Sequence, residues 1–303
     1  MVTGLRAQQR PRVPISRRGV LLGAAALSSA GPAGAEVAAP RVAAVDWAML
    51  ETALALGVTP VAGAELRLFA KAAVEPAIPA GVADIGLRGG LSYEALYAAK
   101  PDLILSSPWY AAREAILARI APVASYSIYE PGRPPYVPAE AATRALGERL
   151  GRRAEADALI AAAASEFEAG RARLARFATR PLLIINLGDP RHFRAFGDES
   201  MFVDAAKRLG LSSAWVARTA FGAFPTVGVE ALAGMPDAFV VNVGPSPRDA
   251  LDALGSSPLW RAMPQIANGR IVALDPVNAY GGIPAARRFA RLLVEALSAH
   301  AEG

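Results

Sequence analysis

Short apolar runs alternate along the chain with segments of helical spacing. RVAAVDW (residues 41–47) predicts a strand, MLETALALG a helix stopping at Gly57, and VTPVAG a second strand. SYEALYAAK and PDLILSS predict helix, turn and strand; REAILARIAP and VASYSIY repeat the order. From residue 181 the alternation restarts with PLLIINL, HFRAFG, a helix from Met201 to Leu209, AFVVNVG, RIVALDP and a last helix over 283–299. Strands that alternate with helices predict an α/β fold built on parallel sheets.

Between the halves lies GRRAEADALIAAAASEFEAGRARLARFATR, rich in Ala, Glu and Arg, with Gly170 its only interior breaker. It predicts one helix of about 27 residues and roughly 40 Å. Such a helix is either a surface helix packed on a sheet or a strut joining two lobes, and its central position favours the strut. An internal echo agrees. YEALYAAKPDLIL (93–105) and VEALAGMPDAFVV (229–241) share Glu-Ala-Leu, a short gap, Pro-Asp and an apolar strand, one copy in each half. The expected organisation is an N-terminal lobe over 36–140, a helical connection over 141–179 and a C-terminal lobe over 180–303.

Charge changes the picture at the N-terminus. Residues 1–35 hold five arginines (Arg6, Arg10, Arg12, Arg17, Arg18) and no acid. Without those five, the chain's 32 basic residues fall to 27, equal to its 27 acidic ones. The electrostatic case for nucleic acid disappears. SRRGVLLGAAALSS sets paired arginines before a short Ala/Gly-rich apolar stretch, and AGA at 33–35 offers small residues for cleavage before Glu36. This is the layout of a bacterial export signal of the twin-arginine type, favoured over a disordered basic arm by the A-x-A site. The apolar run is too short and too rich in Gly and Ser to predict a membrane anchor. The expected location is the periplasm.

Candidate chemistry is sparse. The chain has no cysteine and two histidines, His192 and His300, so thiolate sites are excluded and an imidazole-based metal centre is disfavoured. No dinucleotide loop or G-x-S-x-G elbow occurs, and GLRGGLS lacks a P-loop lysine. A hydrolase using Asp189 or Asp204 stays open as the enzyme alternative, although nothing in the sequence pairs them. LILSSPWYAA (103–112) poses the sharper question, because Trp109 and Tyr110 follow a strand where loops usually carry small polar residues. They either cover a sheet edge or form a surface for a ligand.

The stretches VDWAMLETALALGVTPVAGA, DIGLRGGLSYEALYAAKPDLIL, LARIAP, RPLLIINLGDPRHFRAFGDESMF, SPLWRAMP and AYGGIPAARRFARLL, in this order, give the chain its family likeness. It resembles the periplasmic substrate-binding proteins of iron–siderophore ABC importers, most closely the ferric hydroxamate (ferrichrome-type) group. The resemblance implies two α/β lobes bridged by one long rigid helix. It implies a non-catalytic monomeric receptor with no cofactor, whose ligand is a ferric siderophore and whose partner is an inner-membrane permease with its ATPase.

By the same resemblance Arg88 and Tyr110 touch the ligand, with Trp47 on the same wall and Tyr280 opposite; Trp109 either joins them or covers the sheet edge. Where the family offers two tryptophans from the second lobe, this chain has Gly222 and Asn278. Phe221 and Phe224 are candidate replacements, and Asn278 a polar contact. Glu114 and Glu230 match the acids that dock on permease arginines. A ferric trihydroxamate has already filled the metal's six sites, so a receptor need supply only donors and an aromatic wall. Haem, a corrinoid or a catecholate chelate remain the alternatives within the same fold.

Overall fold

The computed structural model describes residues 40–217 and 226–300. Residues 1–35, Phe221, Gly222 and Phe224 lie outside the described residues.

The first lobe is built on a five-stranded parallel sheet of order β3-β2-β1-β6-β7. Its strands are β1 (Val42–Ala44), β2 (Ala62–Gly63), β3 (Ala83–Asp84), β6 (Leu103–Ser106) and β7 (Val123–Ser125). A small antiparallel hairpin, β4 (Gly86–Leu87) and β5 (Gly90–Leu91), stands apart from it. The connecting helices are α1 (Trp47–Ala55), α2 (Leu66–Ala72), α3 (Tyr93–Ala98) and α4 (Glu114–Leu117), the last preceded by a 3-10 turn over Pro108–Arg113. The central strand β1 is buried on both faces, which is why it reads as an unbroken apolar run. RVAAVDW does not stay extended to its end: Asp46 accepts a hydrogen bond from the Met49 N–H at 3.1 Å and starts α1 at Trp47.

The second sheet has the order β10-β9-β8-β11-β12, from β8 (Leu182–Leu187), β9 (His192–Ala195), β10 (Thr226–Gly228), β11 (Phe239–Val243) and β12 (Ile271–Leu274). Here a purely parallel sheet gives way to a mixed one, since β9 runs antiparallel to β8 and to β10. The cause is the short turn GDPR. Asp189 Oδ1 accepts the N–H groups of Arg191 at 2.7 Å and His192 at 2.9 Å, folding the chain straight back. This consumes Asp189. Asp204 is likewise structural, accepting the Tyr136 N–H at 2.8 Å and a bond from Arg208 Nε at 3.3 Å, so each acid named for the hydrolase alternative is engaged in holding the fold.

The echoed segments occupy equivalent places. Each Pro-Asp leads into the strand beside its sheet's first strand, β6 beside β1 and β11 beside β8. The helix of the first copy is α3, whereas the second copy tightens to a 3-10 turn over Val229–Gly234.

Helical passage between the sheets begins with α5 (Tyr136–Arg149) and continues as α6 (Arg153–Leu174), 22 residues and about 33 Å long. A 3-10 turn over Ala175–Phe177 ends it early and sets the Phe177 ring edge-on to Phe239 at 6.2 Å. α7 (Met201–Arg208), α8 (Arg248–Ser256), α9 (Pro258–Ala262), α10 (Pro264–Ala267) and α11 (Ile283–His300) complete the fold. One core runs through both lobes, joining Val42 and Ala44 of the first sheet to Leu182 and Ile184 of the second through Phe167 and Phe289. Smaller cores cover the outer faces, one around Ile85, Ile104 and Tyr110, the other around Leu183, Phe193 and Trp260.

Candidate functional site

A hollow of about 390 Å³ opens at the carboxyl ends of β1, β6 and β7, where parallel sheets place their ligand loops. Asp46 follows β1; Ser107, Pro108, Trp109 and Tyr110 follow β6; Tyr126, Ile128 and Tyr129 follow β7. Glu65, Arg88 and Gly89 close one side, and Tyr280 enters from the segment before α11.

Arg88 occupies the tip of the β4–β5 hairpin, and three contacts hold that hairpin in place. Asp84 accepts the Gly86 N–H at 2.9 Å, the Glu65 N–H reaches Gly86 O at 2.7 Å, and Arg113 Nη2 reaches Gly89 O at 2.7 Å. The guanidinium carbon lies over the Trp47 ring, 3.5 Å from its centroid, and Nε donates to Glu65 Oε2 at 2.9 Å. Glu65 reaches it from a left-handed backbone conformation, φ 54°, uncommon for a residue with a side chain. Glu65 occupies Nε, and Arg88 is one of the residues lining the hollow.

Trp47 therefore moves from the wall to the support beneath it. It is 5 % exposed, its Nε1–H donates to Ala64 O at 2.9 Å, and its ring packs edge-on to Phe69. Tyr110 is 2 % exposed, so its ring belongs to the outer-face core, yet its hydroxyl makes no hydrogen bond to the described residues. Burial raises that phenol's pKa further above its ordinary value, which keeps the hydroxyl protonated and able to donate. Trp109 is 69 % exposed at the mouth and lies beside Tyr110 as a lining residue, which favours a ligand surface over an edge cover.

Asn278 is also displaced from its expected place. It is buried, donating from Nδ2 to Glu51 Oε2 at 3.0 Å and accepting the Tyr280 N–H at 3.2 Å. Tyr280 does line the hollow, edge-on to Tyr129 at 5.7 Å. Glu114 and Glu230 are exposed, each within the first two residues of a one- or two-turn helical segment and away from the hollow's lining.

Sequence reading missed Asp46, Glu65, Ser107, Tyr126, Ile128 and Tyr129. SYSIY, with two tyrosines just beyond β7, carried a signal for its aromatics. The acids carried none, because a helix cap and a loop glutamate look ordinary until the hairpin folds onto them. Asp46 Oδ2 accepts the Ser107 hydroxyl at 2.8 Å. Burial raises its carboxyl's pKa, opposed by donors from Met49, Ser107 and Ala48 and by the Arg88 charge. Among the described residues no cluster of three or more His, Asp or Glu side chains could hold a metal ion.

Comparison with known proteins places this geometry. Residues 42–277 match the family model described as periplasmic binding protein. The iron(3+)-hydroxamate-binding protein FhuD of Escherichia coli (strain K12) is 31 % identical over 261 residues, covering 86 % of this chain and 88 % of that protein. The crystal structure of the Fe3+–Desferal-bound siderophore binding protein FhuD from Vibrio cholerae superposes with a TM-score of 0.82 at 28 % identity, covering 86 % of this chain and 99 % of that one. The petrobactin-binding protein YclQ of Bacillus subtilis shares the fold, with a TM-score of 0.70 at 14 % identity over 84 % of this chain and 91 % of the other. The chain belongs to the periplasmic binding protein family.

Proposed function

We propose that this protein is a periplasmic receptor that captures a ferric hydroxamate siderophore and delivers it to an inner-membrane ABC permease with its ATPase. Its family is one of binding proteins rather than enzymes, and relatives bind ferric siderophores as ligands without a catalytic cofactor. The observation that carries the reading is Arg88 held over the Trp47 ring in the lining of an aromatic hollow that Tyr110 also lines, its hydroxyl making no hydrogen bond to the described residues. A guanidinium and a phenol suit the outward oxygens of a chelate whose metal is already wrapped. The aromatic walls suit its apolar backbone.

Charge favours hydroxamate over catecholate. The described lining sets Asp46 and Glu65 against one cation, Arg88, a poor surface for a trianionic complex. Export through segment 1–35 would put the receptor in the compartment where such ligands arrive, and no helix among the described residues is long and apolar enough to cross a membrane. Docking through Glu114 and Glu230 follows the same reading: reversing both charges should abolish transport and leave ligand affinity intact.

Titrating intrinsic tryptophan fluorescence with ferric hydroxamates tests the reading, because Trp109 stands at the mouth. Saturable quenching supports it. A flat response across a panel of ferric hydroxamates, or tight binding of uncomplexed ferric ion, overturns it.

A further inference from the structure

The described lining of the hollow comes almost wholly from the first lobe, with Tyr280 its one member from the second. The second lobe carries a further cation near the carboxyl end of β8. Across three strands Asn186, Arg194 and Thr226 stand in register, so their side chains share one face of the second sheet. That face is the one on which Leu182 and Ile184 join the core common to both lobes. Asn186 is held by bonds from Nδ2 to Val243 O at 2.8 Å and Pro245 O at 3.0 Å. Arg194 is exposed and makes no ion pair or hydrogen bond through its guanidinium with the described residues.

Arg194 also stands within electrostatic reach of the hollow. Burial raises the Tyr280 phenol's pKa, and two cations oppose that rise, first Arg194 and then Arg88. Tyr280 thus lies in the fields of two arginines from opposite lobes. They differ in one respect: Arg88 is paired with Glu65, while Arg194 makes no ion pair with the described residues. The first-lobe wall is acidic on balance, and the second-lobe side is basic.

We infer that Arg194 is a specificity-determining residue that selects ferric hydroxamates whose outward arm carries a carboxylate, and turns that arm toward the second lobe. The inference rests on the receptor reading above and adds a ligand class to it. A guanidinium whose donors are unused by the described residues binds a carboxylate through paired charge-assisted hydrogen bonds. A cationic arm in the same place meets repulsion.

The test uses three ferric chelates that share one trihydroxamate core: ferrioxamine B with its free ammonium arm, its N-acetyl derivative and its N-succinyl derivative. Affinities are measured by fluorescence for the wild-type protein, Arg194→Ala and Arg194→Lys. The wild type should bind the succinyl form most tightly and the ammonium form least. Arg194→Ala should lose about tenfold on the succinyl form and little on the others, and Arg194→Lys should recover part of it. Equal losses on all three chelates, or none, would overturn the inference while leaving the receptor reading standing. Failure of the wild type to bind any of the three removes the receptor reading, and this inference with it. An unchanged unfolding temperature in Arg194→Ala excludes a folding defect as the source of any loss.

Discussion

Glu51 of the first lobe and Asn278 of the second are joined by a 3.0 Å hydrogen bond although 227 residues separate them. The same carboxylate accepts the N–H groups of Gly282 at 2.5 Å and Ala285 at 3.3 Å, so a side chain of α1 caps the start of α11. Tyr129 adds a parallel link, donating its hydroxyl to Gly281 O at 2.6 Å. These bonds fix the segment that carries Tyr280 into the hollow. Lobe contact and ligand wall are therefore one structure.

Glu51 should make stability depend on pH in an unusual direction. Burial pushes its carboxyl from the ordinary 4.5 up to about 8, against the pull of Asn278, Gly282 and Ala285. The folded protein then binds more protons than the unfolded chain between those values, so its contribution is full below about pH 4.5 and is lost as pH rises through about 8. Glu51→Gln removes the titration and should flatten that part of the profile. Unfolding temperatures of both proteins between pH 5 and 9 check it; parallel curves would show that Glu51 does not titrate in this range. Glu51→Ala should cost about 3 kcal/mol near pH 5, since it leaves three buried donors unpaired, and less as pH rises toward 8.

Arg88 should resist replacement by lysine. An ammonium retains the charge but offers neither the planar group that lies over Trp47 nor a fork that can bond Glu65 and a ligand together. Arg88→Ala and Arg88→Lys should therefore both weaken binding of ferric hydroxamates by about tenfold or more. Recovery of wild-type affinity by lysine would show that charge alone is recognised. Tyr110→Phe, which deletes one neutral donor, should lose only several-fold.

The fold was readable where burial imposes a period. β1, β6, β8 and β11 are apolar runs because both faces are covered, and α11 was placed to within a residue. What the sequence left unread depends on contacts distant along the chain. Trp47 and Asn278 were wall residues by the resemblance. Only the folded neighbours Ala64 and Glu51 reveal that their polar groups are already engaged. Arg88 and Tyr110 were legible from the resemblance, while Asp46 and Glu65 acquire their place only when the hairpin closes on α1 and α2. The antiparallel β9 was legible in principle, since GDPR is too short for a crossover.

Gly170 sets propensity against packing. Glycine inside α6 is about 1 kcal/mol worse than alanine on helix propensity alone. A Cβ at this position would come within 2.5 Å of Leu209 Cδ2 and 3.0 Å of Val294 Cγ2, both in the buried core. Overpacking of that kind costs about 1–3 kcal/mol. Gly170→Ala should therefore destabilise by roughly 1 kcal/mol instead of stabilising. Denaturant unfolding decides the sign, and a gain in stability would mean that α7 and α11 relax freely around the new methyl group.

Ligand capture should involve little closure. α6 buries Ala156, Leu159, Ala163, Phe167 and Leu174 along its length, and all five belong to the core that runs from the first sheet to the second. Arg287 of α11 adds a charged tie to Glu166, and Tyr136 at the start of α5 packs edge-on against Phe167 at 5.4 Å. Opening the lobes by a wide angle would have to break this packing, because interiors at near-crystalline density have no soft mode to absorb it. Small-angle scattering with and without a saturating ferric hydroxamate should show a change in radius of gyration of about 1 Å or less. A contraction of several ångströms would mean that the lobes hinge about α6, and that the shared core comes apart with each capture.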